Sequence, residues 1–331
     1  MVRRAKLTFT ALLLAGMCFA AATVKHDEDL DEARRAFEAS DYTKAIQVLQ
    51  AAAAKEPTNG DIQLLLTKSY LELQEHDAAI RSAEKAVSLG QQNSIYHEWL
   101  GRAYGEKADH AAWPPTKISL AKKTGREFET AVQLDGKNFS ARQALIEFDC
   151  SAPGIVGGGE DKAEPHIKEL MELDAAEGHY AIGNCRRQKK DFAVADEEFT
   201  KALESRPKSP ELIYDIGDFA VKREQPERLM AVAEAGEHAA PNDPRGKFYR
   251  AVGLVLQKEK LEEAERLLRE YGKRAPKRNG YPSPATAHAW LGRLYESKND
   301  LAGAKEEFEN ALRLDPRNKI AQEELKKIKK G

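Results

Sequence analysis

Small, aromatic and aliphatic residues recur along this chain in a fixed order, and the clearest instance runs from Ala287 to Asn318. Leu291-Gly292 is followed by Tyr295, then by Ala304, Phe308 and Ala311, with Pro316 at the end. The spacing predicts two antiparallel helices. Gly292 and Ala304 are small enough for the two backbones to approach, Tyr295 and Phe308 fill the space beside that contact, and Pro316 cannot continue the second helix. One such pair cannot bury its apolar face alone, so the pattern also predicts neighbours of the same kind.

Those neighbours are present. Gly183, Ala195, Phe199, Ala202 and Pro207 make one, with Asp191-Phe192 at the turn between its helices. Gly217 and Pro241 define the next. Ala264 and Leu268 mark the second helix of another, whose first helix is offset because Gly253 falls one place late. The front half reads the same way. Ala33, Asp41-Tyr42, Ala45-Ile46, Leu49, Ala52 and Pro57 form the first unit, and Tyr70, Ala79-Ile80, Ala83 and Ala86 the second. Leu100-Gly101 and Tyr104 pair with Phe128 and Ala131, and Leu145 and Phe148 with Ile167 and Leu170. After these eight pairs, residues 319–331 carry Ile320, Leu325 and Ile328 on one face of an amphipathic helix. A polar-faced terminal helix caps such stacks.

This pattern is similar to the tetratricopeptide-repeat (TPR) family, with His288 in the slot where a large aromatic usually stands. The resemblance implies an all-α fold, a right-handed α-solenoid of about eight TPR helix pairs over residues 28–318 with a C-terminal capping helix. It implies a noncatalytic scaffold or adaptor whose first helices line a concave groove that docks a protein or peptide. Tyr180, Tyr214 and Tyr249 lie 34 and 35 residues apart in consecutive first helices, so they are expected to stack as a column facing that groove. The alternative is that they pack between helices, as Tyr104 and Tyr295 are expected to. Asn184, Arg187, Asp218 and Lys222 are the neighbouring groove candidates, and their mixed charge argues against a ligand of one sign. The Lys/Asn/Arg set with which some family members hold a peptide carboxylate is not found.

Two insertions, 107–117 and 151–160, interrupt consecutive repeats between their two helices. Both read as loops and are expected to meet on one edge of the solenoid. Trp113, Ile155 and Val156 are apolar for such loops; they either contact a partner or pack onto the solenoid. A pocket near the two loops also suggests a second function, that of a small-ligand sensor or solute-binding module. Gly154 and Gly157-Gly158-Gly159 superficially suggest a phosphate loop. A helix precedes them, however, and Glu160-Asp161 follows, so the glycines read as a helix stop and a tight turn. The loop is similar to an insertion of some secreted bacterial TPR proteins.

Residues 1–22 have the layout of a secretory signal peptide: Arg3, Arg4 and Lys6, an apolar stretch from Leu7, and Ala20, Ala21 and Ala22 at its end. The stretch is short for a membrane anchor. Leu14 to Cys18 resembles a lipoprotein box, but Met17 stands where a small residue belongs. The protein is therefore expected to be exported, periplasmic or secreted, with no integral membrane span in the mature chain; self-association is left open. Lys and Arg number 52 against 54 Asp and Glu. This near balance gives no electrostatic reason to expect nucleic acid as a partner.

Candidate chemistry changes this picture little. No pair of the eight His has metal-ligand spacing on one helix face. His97, His179 and His288 recur at one repeat position, which reads as packing. There is no nucleophile elbow and no Cys with a His partner in the sequence pattern. No catalytic residue, cofactor or metal is expected. Beyond the signal segment stand Cys150 and Cys185, in first helices of adjacent repeats. They either bridge, as an oxidising compartment allows, or remain two small buried thiols.

Overall fold

The computed structural model describes residues 28–328, so the signal-peptide reading of residues 1–22 and the last three residues of the cap lie outside the described residues. Within them the fold is all-helical, with no strand. The helices are α1 (28–38), α2 (Tyr42–Lys55), α3 (Gly60–Glu72), α4 (His76–Leu89), α5 (Ser94–His110), α6 (Pro114–Leu134), α7 (Phe139–Ser151), α8 (Glu160–Leu173), α9 (Ala175–Gln188), α10 (Phe192–Glu204), α11 (Pro210–Lys222), α12 (Pro226–Ala239), α13 (Pro244–Gln257), α14 (Leu261–Arg274), α15 (Pro284–Ser297), α16 (Leu301–Leu314) and α17 (Lys319–Ile328). They form eight successive pairs followed by the expected terminal helix. They divide into two compact units, one ending at Arg142 and the other beginning at Gln143.

Local sequence sets each turn. Between the two helices of five pairs, one residue takes the left-handed conformation: Ser40, Gln74, Lys190, Glu224 and Asn299. The N–H of the next residue then donates back to a carbonyl five positions earlier, as Asp41 does to Ala36, Asp191 to Arg186 and Asp300 to Tyr295. This satisfies carbonyls left open at the helix end. The same aspartates cap the second helix, with the Asp41, Asp191 and Asp300 side chains accepting from Lys44, Val194 and Gly303 N–H. First helices start on Asn59, Asn93, Asp174, Ser209, Asp243 and Ser283, whose side chains accept from first-turn N–H groups.

Packing within a pair repeats one contact. A Cβ at Gly101, Gly183 or Gly292 would lie 2.6, 2.5 or 2.3 Å from the ring of Phe128, Phe199 or Phe308. The glycine is what allows the ring to lie against the helix. Ala195 and Ala304 beside these rings are fully buried, as the pattern required. The sixth pair departs from it: the space at Gly217 is taken by Tyr249 of α13, and Tyr214 lies against Gly236 of α12. Gly253 faces Met230 and Leu229 of α12, so it serves the preceding pair and not α14. This accounts for its offset in the sequence.

The two insertions fold differently. Residues 107–117 were expected to form a loop, but α5 continues to His110 and α6 begins at Pro114, leaving three linking residues. Pro114-Pro115 favours this, because proline suits the first positions of a helix, where no N–H is needed. Residues 151–160 do form a link, with a 3-10 turn at Gly154–Val156. Gly157 and Gly159 have φ of 109° and 157°, and a Cβ on Gly158 would lie 2.1 Å from the Ala152 carbonyl oxygen. The glycines admit a close backbone turn, as expected. The first insertion lies in the first unit and the second in the second unit.

Cys150, near the end of α7, and Cys185 of α9 are joined in a disulfide, with Cα atoms 5.4 Å apart and a sequence separation of 35. Closing a loop of that length restricts the unfolded chain by about 3–4 kcal/mol. Cys150→Ser combined with Cys185→Ser is therefore expected to lower stability by about 2–4 kcal/mol. Urea unfolding of both proteins without reductant checks this, and coincident curves would contradict it.

A polar cluster joins α14 to α15. The Glu265 carboxylate accepts from Tyr295 Oη at 2.6 Å, Lys298 Nζ at 3.0 Å and Arg269 Nε at 3.1 Å. The Tyr295 bond, with help from Lys298 and Arg269 and against the cost of burial, holds its pKa down at about 2 from the usual 4.5. A depressed folded-state pKa gives stability that is full above the unfolded value and lost as pH falls towards the folded one. Glu265→Gln should thus destabilise at pH 7, and its deficit relative to the parent should shrink as pH falls from about 4.5 towards 2. Urea midpoints of both proteins at pH 7 and pH 3 provide the comparison; a deficit independent of pH would count against the assignment.

Candidate interaction surface

In the first unit the first helices α3 and α5 bring Lys68, Trp99 and Arg102 together. The Lys68 ammonium lies 4.5 Å and the Arg102 guanidinium 5.5 Å from the Trp99 ring centroid. Trp99 is half-buried, leaving part of its ring open. Behind it, the buried Glu98 accepts from Arg102 Nε at 3.0 Å, Ser140 Oγ at 2.7 Å and Asn138 Nδ2 at 3.1 Å. Burial pulls the Lys68 pKa below its ordinary value, opposed by the Glu98 charge and aided by Arg102. A half-buried ring with two cations beside it suits an acidic or aromatic segment, through cation–π contact and charge.

In the second unit, α9 and α11 form a comparable cluster. Tyr180 Oη donates to Asp215 Oδ2 at 3.0 Å, and Arg187 Nη1 donates to the same oxygen at 2.8 Å. Burial, and then the Asp215 charge, push the Tyr180 phenol well above its ordinary pKa. Tyr180 and Arg187 are half-buried, Asn184 is buried beside them, and Lys222 is exposed at the end of α11.

The expected outward tyrosine column is not formed. Tyr214 and Tyr249 are fully buried, 1% and 0% exposed, and stack on each other with centroids 5.6 Å apart. Tyr249 Oη donates to Asp218 Oδ1 at 2.7 Å and lies 3.1 Å from the Tyr214 carbonyl oxygen. Burial raises the Asp218 pKa, against the pull of that Tyr249 bond. Both rings occupy the room left by Gly217 and Gly236, so the alternative of packing between helices describes them, and only Tyr180 keeps an open edge. Of the insertion residues, Trp113 and Ile155 are 67% and 69% exposed, whereas Val156 turns inward and is 8% exposed.

The recurring histidines have partners that a search for ligand spacing does not reveal. His97, His179 and His288 Nδ1 lie 2.7, 2.8 and 2.6 Å from Glu127, Glu198 and Glu307 of the paired second helix. Each glutamate immediately precedes the phenylalanine that packs on the repeat glycine, so the sequence does carry the signal. Burial opposes ionisation of Glu198 and Glu307, but hydrogen bonds outweigh it, and both pKa values lie below the usual glutamate range. These pairs tie first helix to second.

The expectation of no metal-ligating set meets one exception. His76, Glu106 and His110 have candidate ligand atoms all within 4.8 Å of one another. Spacing along one helix does not show them, because His76 is on α4 and the other two are on α5. A cavity of about 640 Å³ adjoins them, bordered by Asp77, Lys107 and Trp113. A second hollow, about 900 Å³, lies between the second helices α10 and α12, around Arg228 and Gln225. Among the described residues no helix is long and apolar enough to cross a membrane.

Three models described as tetratricopeptide repeat match the chain, at residues 36–102, 176–209 and 285–318. No curated protein matches it. Among solved structures, yeast Tom70 is 15% identical over 92% of this chain and 64% of its own, with a TM-score of 0.57. A thermophilic TPR protein of Thermus thermophilus is 14% identical over 70% of this chain and 99% of its own, with a TM-score of 0.46. A tetratricopeptide repeat protein of Parabacteroides merdae is 13% identical over 92% and 98%, with a TM-score of 0.41. The likeness to Tom70 concerns the fold alone.

Proposed function

The chain is a tetratricopeptide-repeat protein, and we propose that it is a noncatalytic protein-binding scaffold of the bacterial cell envelope, docking a peptide or protein on its first helices. The observation that carries this is the open aromatic–cation cluster on the first helices of each unit, Lys68–Trp99–Arg102 in one and Tyr180–Arg187 in the other. Amphipathic rings and arginine forks are the groups that dominate protein interfaces. Export rests on the signal-like first 22 residues, and the Cys150–Cys185 bridge suits an oxidising compartment. N-terminal sequencing of the protein from fractionated cells should begin just after Ala20 or Ala22; an intact Met1 in the cytoplasm would refute export.

The binding surface is tested by quantitative co-purification from the envelope fraction. Trp99→Ala combined with Arg187→Ala should reduce the protein captured by the parent at least about tenfold, the scale of a hot-spot loss, while the helical circular dichroism spectrum at the assay temperature is retained. Equal capture would refute the docking surface. Tyr214 is unsuitable for such a test, since its loss would disturb the core.

A further inference from the structure

We propose that His76, Glu106 and His110 form a site for one divalent transition-metal ion of the zinc class. His76 opens α4, and Glu106 and His110 stand one turn apart at the end of α5. The two imidazoles stack with centroids 4.7 Å apart, and the candidate ligand atoms of all three residues lie within 4.8 Å of one another. Zinc bonds to nitrogen and oxygen run about 2.0–2.2 Å, which places tetrahedral ligand atoms about 3.4 Å apart. Glu106 and His110 are exposed and can turn through the remaining distance.

Two details of the histidines point to a ligand. His110 Nδ1 lies 2.8 Å from the Glu106 carbonyl oxygen, which can only accept. Nδ1 therefore carries the proton, and Nε2 presents its lone pair. An outer hydrogen bond of this kind orients metal-bound imidazoles. His76 Nδ1 is enclosed and has no hydrogen-bond partner, an arrangement that costs free energy unless something binds there. Nearby charge does not oppose a cation strongly. Lys107 is paired with Asp77, so its charge is balanced locally. Arg81 also borders the cavity, and Glu75 offsets it. Two neutral imidazoles and one carboxylate with an open position suit zinc, nickel or copper better than calcium or magnesium.

The first insertion creates the site. His76 and His110 are 34 residues apart, the same place in consecutive repeats. In the second repeat the chain has already turned into α4 there. In the third it continues as α5, carrying His110 across to His76. A bound ion would pin α4 to α5 beside the exposed Trp113.

The test is calorimetric titration of the full, untagged chain with Zn²⁺ after chelator treatment, with Co²⁺ absorption as an independent readout. One ion per chain should bind at micromolar or lower dissociation constant, and Co²⁺ should give the visible bands of a four-coordinate nitrogen–oxygen site. His76→Ala and His110→Ala should each weaken binding at least about tenfold, and Glu106→Gln similarly, all with unchanged circular dichroism. His179→Ala, at a His–Glu pair elsewhere, should leave binding intact. No stoichiometric binding below about 100 µM, or binding that survives His76→Ala with His110→Ala, would overturn the proposal.

Discussion

Phe199→Ala is expected to lower stability by about 3–5 kcal/mol, among the largest effects of any apolar truncation in the chain. Phe199 is fully buried, lies against Gly183, and packs edge-on to Phe219 at 5.1 Å and near Tyr180 at 6.0 Å. Removing it leaves a cavity between α9 and α10 that neither backbone can close. Gly183→Ala in the parent should also destabilise, because its Cβ would meet the ring at 2.5 Å. In the Phe199→Ala background the same change should be close to neutral, since the obstructing ring is gone. Urea unfolding of the four proteins reads out the cycle. Additive costs would mean that glycine and ring do not share one contact.

Arg245→Met should cost about 3–5 kcal/mol by a different mechanism, the stranding of a buried charge. The Arg245 guanidinium is sandwiched between the Tyr214 and Tyr281 rings, 4.2 Å from each centroid. It holds the enclosed Asp243 carboxylate through Nε at 3.1 Å and Nη2 at 2.7 Å, and it reaches the Gly280 carbonyl oxygen at 3.3 Å. Methionine fills the volume but leaves Asp243 without its cation. Arg245→Lys restores charge without the planar fork, so it should recover only part of the loss. Adding Asp243→Asn to Arg245→Met should recover part as well, because the amide keeps the helix cap without the charge. Thermal and urea midpoints that leave Arg245→Met within about 1 kcal/mol of the parent would contradict this account.

The tandem helices were legible because each pair repeats one steric fit, and glycine, alanine and phenylalanine at fixed spacing advertise it. Gly183, Phe199, Gly292 and Phe308 sit where that spacing places them. The face of a side chain was harder to read. A spacing of 34 or 35 puts Tyr180, Tyr214 and Tyr249 at one repeat position, but Gly217 and Gly236 draw two of the rings inward. The glycines were in view; their pairing across helices was not. The metal-site candidate was hidden for a related reason. Its histidines share no helix, and they meet only because residues 107–110 prolong α5 where a loop was expected. Trp99 carried no signal of its own in the sequence, because its flanking cations, Lys68 and Arg102, come from two helices.

We propose that partners dock on the first helices of each unit. Site-specific photo-crosslinking in living cells tests it most directly, with a photoreactive residue placed singly at Trp99 and Tyr180 and, as controls, at the exposed second-helix positions Glu129 and Glu197. Discrete crosslinked adducts to another protein are expected at positions 99 and 180 and none at 129 and 197. Adducts confined to positions 129 and 197, or none at any of the four, would contradict it.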